Sequence, residues 1–328
     1  MDRIKFLKLK IVMKRTALFL TFLTITSLSF GQFNPMKKFD FSLLENRTLW
    51  IPQYSLSDKT IESLLKKDQM EKYDLLTKSA TSMNALWDKV MKRSSYSATD
   101  YVMKEYDFRG FMNEKNPDAI ALFFIRVTKD GVSNNFAQIM SAYPKKRVIA
   151  RSIINGLDIT DENDLTLIIN MLNQGLNAGV ELEEEGNKSF KAIRNKYKET
   201  FVAFYETINE KTFLVPEYDA SEKKADKKNA ELKEAMKSWN ISKVKMVSEN
   251  EISQERKANS TTSFYWKNVP YYTGGFPPVY NLNYIINTES DEVVFYFMGK
   301  KALKPANMEE AQKKMQKRYL KFKEDLDK

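Results

Sequence analysis

The 328-residue chain contains no histidine and no cysteine. That removes the Ser-His-Asp triad, the Cys-His pair, the CxxC redox centre and any thiolate or imidazole zinc site. Carboxylates, lysine, tyrosine and serine are what remain for chemistry. They form no recognisable catalytic motif, so the sequence leans away from an enzyme and implies no cofactor. The common reaction that needs neither missing residue is glycoside hydrolysis, in which a carboxylic acid and a second carboxylate face each other across a cleft. Here Asp and Glu sit mostly in Lys-rich helical contexts, where no such pair can be read.

Three stretches have the residue types of a site. In the first, Asp158, Asp161, Glu162 and Asp164 invite a calcium reading. An EF-hand loop counted from Asp161 would put an oxygen ligand at Leu165 and the invariant glycine at Thr166, so the pattern fails. Acidic residues at a helix start are expected from capping and from the helix dipole, and no metal site is predicted. The second stretch runs from Tyr271 to Tyr280 and is the most distinctive. Gly274 and Gly275 free its backbone, Pro277 and Pro278 stiffen it, and Tyr271, Tyr272, Phe276 and Tyr280 supply four aromatic rings. On a loop, such rings stack on sugars or clasp a peptide, which makes these four the candidate contacts for a ligand or partner. The plainer alternative is a hairpin connection whose rings fold back onto a sheet. The third is the cluster Lys223, Lys224, Lys227 and Lys228. Glu222, Asp226 and Glu231 interrupt it, as on a solvated helix face. The Gly pairs lack the spacing of a phosphate loop.

The elements that must carry these residues occur twice. Arg47-Thr48-Leu49-Trp50-Ile51-Pro52-Gln53-Tyr54 lies over Lys211-Thr212-Phe213-Leu214-Val215-Pro216-Glu217-Tyr218, with Thr, Pro and Tyr identical and the other positions similar. A Thr and three apolar residues predict a buried strand that ends at the Pro, which has no N–H to donate. A helix follows each copy. In the first half Ser57 or Asp58 caps it, and Met83, Leu86, Trp87, Val90 and Met91 form its stripe. In the second half the stripe is Leu232, Ala235, Met236 and Trp239. β-like runs then recur at 101–103 and 244–247, at 119–127 and 263–267, at 136–142 and 279–287, and at 147–154 and 292–298.

Each half therefore reads β-α-β-β-β-β followed by helix. The predicted class is α+β: two tandem, duplicated domains, each a mostly antiparallel sheet with one crossover helix and a C-terminal helix. The first domain spans 32–207, with extra helices over about 158–207, and the second spans 208–328. Leu165, Ile168, Ile169, Leu172 and Leu176 mark one extra helix; Phe190, Ile193, Tyr197, Phe201 and Phe204 mark the other. The C-terminal helix carries Met308, Ala311, Met315, Tyr319 and Phe322. Which of the two corresponds to the C-terminal helix stays open at this level.

Residues 1–31 have the zones of a cleaved signal peptide: a basic start, an uncharged run from Ala17 to Leu28, and small residues at Ser29 and Gly31. Met13 is an alternative start. The apolar run falls short of the roughly 20 residues of a spanning helix, so no stable membrane anchor is expected after cleavage. Without cysteine there is no lipid attachment, so the product is expected in the periplasm or outside the cell and is not a lipoprotein. Of the net charge of +10, the leader carries +5 through Arg3, Lys5, Lys8, Lys10, Lys14, Arg15 and Asp2, which leaves +5 beyond it. That balance, with Lys and Glu interleaved, does not suggest a nucleic-acid partner. The function expected is an exported, non-catalytic binding or interaction module for an envelope protein or glycan. The alternatives are a carboxylate-dependent glycan hydrolase and a structural assembly subunit docking through its long amphipathic helices.

Overall fold

The computed structural model describes residues 44–328 apart from 45, 95, 144–145, 185, 187–189, 274–278 and 300–304. The expected leader, residues 1–31, therefore lies outside the described residues, and so does Phe276.

Two five-stranded sheets repeat one topology. The first comprises β1 (Thr48–Pro52), β2 (Asp100–Lys104), β3 (Ala119–Lys129), β4 (Val132–Ser141) and β5 (Arg147–Ile153), in the order β2-β1-β3-β4-β5. The second comprises β6 (Thr212–Pro216), β7 (Lys243–Val247), β8 (Ser263–Tyr272), β9 (Val279–Asn287) and β10 (Val293–Gly299), in the order β7-β6-β8-β9-β10. Register confirms the match residue by residue. Thr48 stands opposite Asp100 and Ala119, and Thr212 stands opposite Lys243 and Ser263. As the sequence predicts, β1 and β6 end at Pro52 and Pro216.

The expected mostly antiparallel sheet is corrected to a mixed one. In each half the first three strands are mutually parallel and the last three antiparallel. The cause is a second crossover in each half. Helix α3 (Phe108–Glu114) joins β2 to β3, after the long first crossover through α1 (Asp58–Lys66) and α2 (Met70–Arg93). In the second half α6 (Ala225–Met236) makes the first crossover and α7 (Glu249–Lys257) the second. The short helices are easy to pass over: α7 offers only Ile252 as a large apolar residue, and α3 shows Phe108, Phe111 and Met112 within just seven residues. Their caps were a further signal. Ser248 and Glu251 form a reciprocal capping box, and Asp107 accepts from the Gly110 N–H.

A side-chain clamp repeats as well. Past each strand-ending Pro the chain leaves the ladder, and its backbone polar groups need new partners. Asn84 of α2 accepts from Tyr54 N at 2.8 Å and donates to Tyr54 O at 2.9 Å. Asn229 of α6 does the same for Tyr218, at 2.8 and 3.0 Å. A primary amide mimics a peptide edge, so one Asn satisfies both groups.

The remaining helices are α4 (Glu162–Glu184), α5 (Phe190–Glu206) and α8 (Pro305–Leu326). The open correspondence resolves in favour of α4. Its Leu165, Ile168, Leu172 and Leu176 each stand 143 positions before Met308, Ala311, Met315 and Tyr319 of α8 (308 − 165, for example). In addition, α4 packs on α2 as α8 packs on α6. Helix α5 is the extra element and lies against α8 and β10. Its Phe201 and Phe204 are buried, so this stripe is spent inside the molecule.

Helix α4 is buried on every side from Leu165 to Asn173, the mark of a helix sandwiched between layers. One face meets the first sheet. The opposite side lies in a core cluster that also contains Tyr265, Val269, Leu282, Tyr284 and Val293 of the second sheet. Each fully buried Leu or Ile here contributes about 1.5–3 kcal/mol of transfer free energy, so the two sheets share one core.

Candidate functional site

Of the four aromatic residues singled out in the sequence, the three described ones lie in strands. Tyr271 and Tyr272 end β8, Tyr280 lies in β9, and Tyr271 pairs directly with Tyr280 across the hairpin. The Tyr271 ring packs against the shared core, and burial raises its hydroxyl pKa. Tyr272 is 39% exposed. Its backbone is held by the first half: Asn134 of β4 donates to Tyr272 O and accepts from Tyr272 N, both at 2.9 Å. Asn155 donates to Asn134 at 2.6 Å and to Pro270 O at 2.9 Å. Beside them Gly156 has φ +73°, and a Cβ there would meet Pro270 Cδ at 3.3 Å, so both backbone shape and space favour glycine. This end of the hairpin is a seam between the halves.

A second seam is polar and open. The turn after β5, the first turn of α4, helix α7 and strand β8 enclose a cleft of about 350 Å³, lined in part by Asp158, Asp161, Asp164, Glu249, Tyr265 and Lys267. The acidic run noted in the sequence forms one wall, and its members serve as caps. Asp161 Oδ1 accepts from Asn163 N and Asp164 N, each at 2.9 Å. Asp158 Oδ1 accepts from Thr160 N at 2.8 Å and Thr160 Oγ1 at 2.7 Å. The Thr160 donors hold the Asp158 carboxyl below the ordinary aspartate range. Among the described residues no group of three carboxylates is placed to hold a metal ion.

The other wall comes from the second half. Arg256 makes a forked, buried pair with Asp291, Nε–Oδ1 2.6 Å and Nη2–Oδ2 2.8 Å, and also donates to Asn163 O at 2.9 Å. Asn163 Oδ1 receives Ser253 Oγ at 3.1 Å and Arg93 Nη1 at 2.9 Å, joining α4 to α7 and α2. Lys267 pairs with Asp164 at 2.8 Å. Further along the seam Gln174 clamps Val293, donating to its O at 3.1 Å and accepting from its N at 3.3 Å. These contacts hold the two walls in register.

One group in the lining is unsatisfied. Tyr265 is 2% exposed, and its hydroxyl meets no hydrogen-bond partner among the described residues. Burial pushes this hydroxyl far above the ordinary tyrosine range, against the opposing pull of Arg256 and with Asp291, Asp164 and Glu249 adding to the rise. It therefore stays protonated. An orphaned buried hydroxyl costs about 1–3 kcal/mol. Sequence reasoning missed Tyr265 because it alternates with Trp266 as an ordinary strand residue; only its register with Leu214 shows which face it takes.

For chemistry, the lining offers carboxylates, Arg256, Lys267 and the Tyr265 side chain. A glycan-cleaving pair needs a carboxyl held protonated near neutrality. Burial raises the Glu292 carboxyl, which lies outside the lining. The Lys223–Lys228 cluster shows the expected solvated pattern, with Lys228 on Glu222 at 2.7 Å and Lys227 near Glu231 at 3.9 Å. No protein family, curated protein or solved structure matches the chain.

Proposed function

We propose that the chain is an exported, non-catalytic binding module that holds its ligand in the cleft between its two repeats. The observation that carries this reading is the orphaned Tyr265 hydroxyl in the lining of a cleft whose walls are locked together by Arg256–Asp291, Lys267–Asp164 and Asn163. A preformed polar cavity of this size suits a small ligand. Export rests on the leader-like residues 1–31. Among the described residues no helix is long and apolar enough to cross a membrane.

The hydrolase alternative is separated by a paired assay. The purified protein is examined by native mass spectrometry for a co-purifying small molecule, and incubated with envelope glycan while new reducing ends are counted. The binding reading expects an adduct that Glu249→Gln/Tyr265→Phe removes, with no reducing ends above background. Release of reducing ends that disappears on replacing a cleft carboxylate would overturn it in favour of hydrolysis.

A further inference from the structure

The two sheets end in four outer strands, and an outer strand offers unpaired backbone groups to another chain. Helix α4 packs on β5 and helix α5 on β10. Strand β7 carries Lys243 and Lys245, both exposed, and lysines on an edge discourage pairing. Strand β2 is different. Its first three residues, Asp100, Tyr101 and Val102, are exposed, and the shared register puts Val102 where β7 has Lys245. Tyr101 and Val102 are 39% and 43% exposed, high values for large apolar side chains in a strand.

The backbone of β2 defines what its open side presents. Gln53 N donates to Lys104 O at 3.0 Å, so the peptide groups of Lys104, and by alternation those of Val102 and Asp100, turn toward β1. Those of Tyr101 and Met103 turn outward, and among the described residues they meet no hydrogen-bond partner. Side chains alternate between the faces as well. Asp100, Val102 and Lys104 share the Trp50 face, with Lys104 Nζ 3.5 Å from the Trp50 ring centre. Tyr101 and Met103 share the other face, where Met103 packs against the core that holds Ile51.

This order of residues is complementary to itself when reversed. Antiparallel pairing about Val102 sets Val102 against the partner's Val102, Asp100 against the partner's Lys104 and Tyr101 against the partner's Met103. The same register aligns the outward peptide groups, so that Tyr101 and the partner's Met103 exchange two N–H···O bonds and the symmetric pair exchanges two more. A two-fold axis forms each charge pair twice. Asp100 is available for this, since it makes no ion pair among the described residues. Lys104 meets Glu114 at 3.8 Å with both side chains about half exposed, a contact too weak to hold it. In β7 the same operation would set Lys245 against Lys245. We propose that β2 pairs with β2 of a second copy about a two-fold axis at Val102, joining their first sheets edge to edge. A ladder this short buries less than a permanent interface, so the dimer is weak and concentration-dependent. It does not depend on the cleft holding a ligand.

Sedimentation equilibrium of the full chain across the micromolar range tests this. The wild type is expected to pass from monomer to dimer and no further. Val102→Lys, which copies Lys245 of the second repeat, should leave a monomer with an unchanged circular dichroism spectrum. Asp100→Lys and Lys104→Asp each set two like-charge pairs across the axis, and each should weaken self-association by about tenfold or more. Mixed one to one, these two variants should dimerise again, because every Lys then faces an Asp. Loss of folding could not be rescued by such mixing. A wild type that stays monomeric, a dimer that survives Val102→Lys, or a mixture no more associated than its components overturns the proposal.

Discussion

The two repeats share a frame and put it to different use on one face. In the first repeat the face under α3 is dry: Ala119, Ala121 and Phe123 of β3 close against Trp50, Phe111 and Met112. In the second repeat the register places Ser263 and Tyr265 at the positions of Ala119 and Ala121. There the short helix brings Arg256 rather than a pair of apolar anchors. The first face is sealed by its own helix. The second is covered by the neighbouring repeat, through α4, and the imperfect fit leaves the polar cleft. The outer helices differ in the same sense. Helix α4 is buried all round, whereas its counterpart α8 buries Met308, Ala311 and Met315 and turns Glu309, Glu310 and Lys313 to solvent. Two units of matching topology thus form a stack with one interior joint and one charged end cap, and the joint is where a site can form.

The comparison breaks most sharply at the joint. Arg256→Ala leaves Asp291 buried without its partner and is expected to cost about 3–5 kcal/mol in urea unfolding. A joint that tolerates Arg256→Ala within experimental error would mean that the polar seam does not hold the repeats. Next in size is a matched pair on the two corresponding helices. Leu167 faces away from the stripe shared with α8 and is fully buried, so Leu167→Ala should cost about 2–5 kcal/mol. Its counterpart 143 positions on is the exposed Glu310, where Glu310→Ala should stay within about 0.5 kcal/mol. Similar costs at both positions would erase the distinction between inner and capping helix.

Smaller effects sharpen the likeness of the frames. Asn84→Ala and Asn229→Ala each strip two hydrogen bonds from a tyrosine backbone and should destabilise by about 1–3 kcal/mol, nearly equally in the two repeats. Unequal losses in chemical denaturation would show that one clamp is incidental. The smallest effect is a sign. Burial raises the Glu292 carboxyl above its unfolded value, so its protonated form favours folding. That contribution is fully present below the unfolded pKa and is lost as pH rises through the folded one. Glu292→Gln should therefore stabilise the protein at neutral pH, with the gain vanishing below the ordinary glutamate range. A pH-independent difference between the two urea midpoints would contradict the assignment.

Much of the frame is legible in the sequence, because it rests on local rules. The duplicated strand shows as an eight-residue likeness, the Pro fixes where each copy ends, and the stripes of α2, α6 and α8 follow helical spacing. The mixed sheet was not legible, since α7 has a cap without a stripe, the stripe of α3 is confined to seven residues, and a parallel pairing leaves no turn signature. The joint was harder still. Leu167 and Met171 lie off the stripe of α4 and are the visible hint of a second buried face. The site residues show the same split. Asp158, Asp161 and Asp164 read correctly as helix-start residues, but nothing local shows that Tyr265, Lys267 and Glu249 come to face them from a hundred positions away. The aromatic run at Tyr271–Tyr280 drew notice by its composition. Among its described members, Tyr272 is tied into a seam by Asn134 and Tyr271 packs against the shared core.

The central claim is that the repeats form one cooperative unit around a preformed cleft, and the four tryptophans allow it to be tested directly. Trp50 and Trp87 report on the first repeat, Trp239 and Trp266 on the second. Urea unfolding is followed in two variants, Trp239→Phe/Trp266→Phe and Trp50→Phe/Trp87→Phe, each by its remaining fluorescence and by far-ultraviolet circular dichroism. The account predicts that in each variant the tryptophan signal and the circular dichroism trace a single coincident transition. Transitions that separate by repeat would contradict it, and would make the cleft a gap between independent domains.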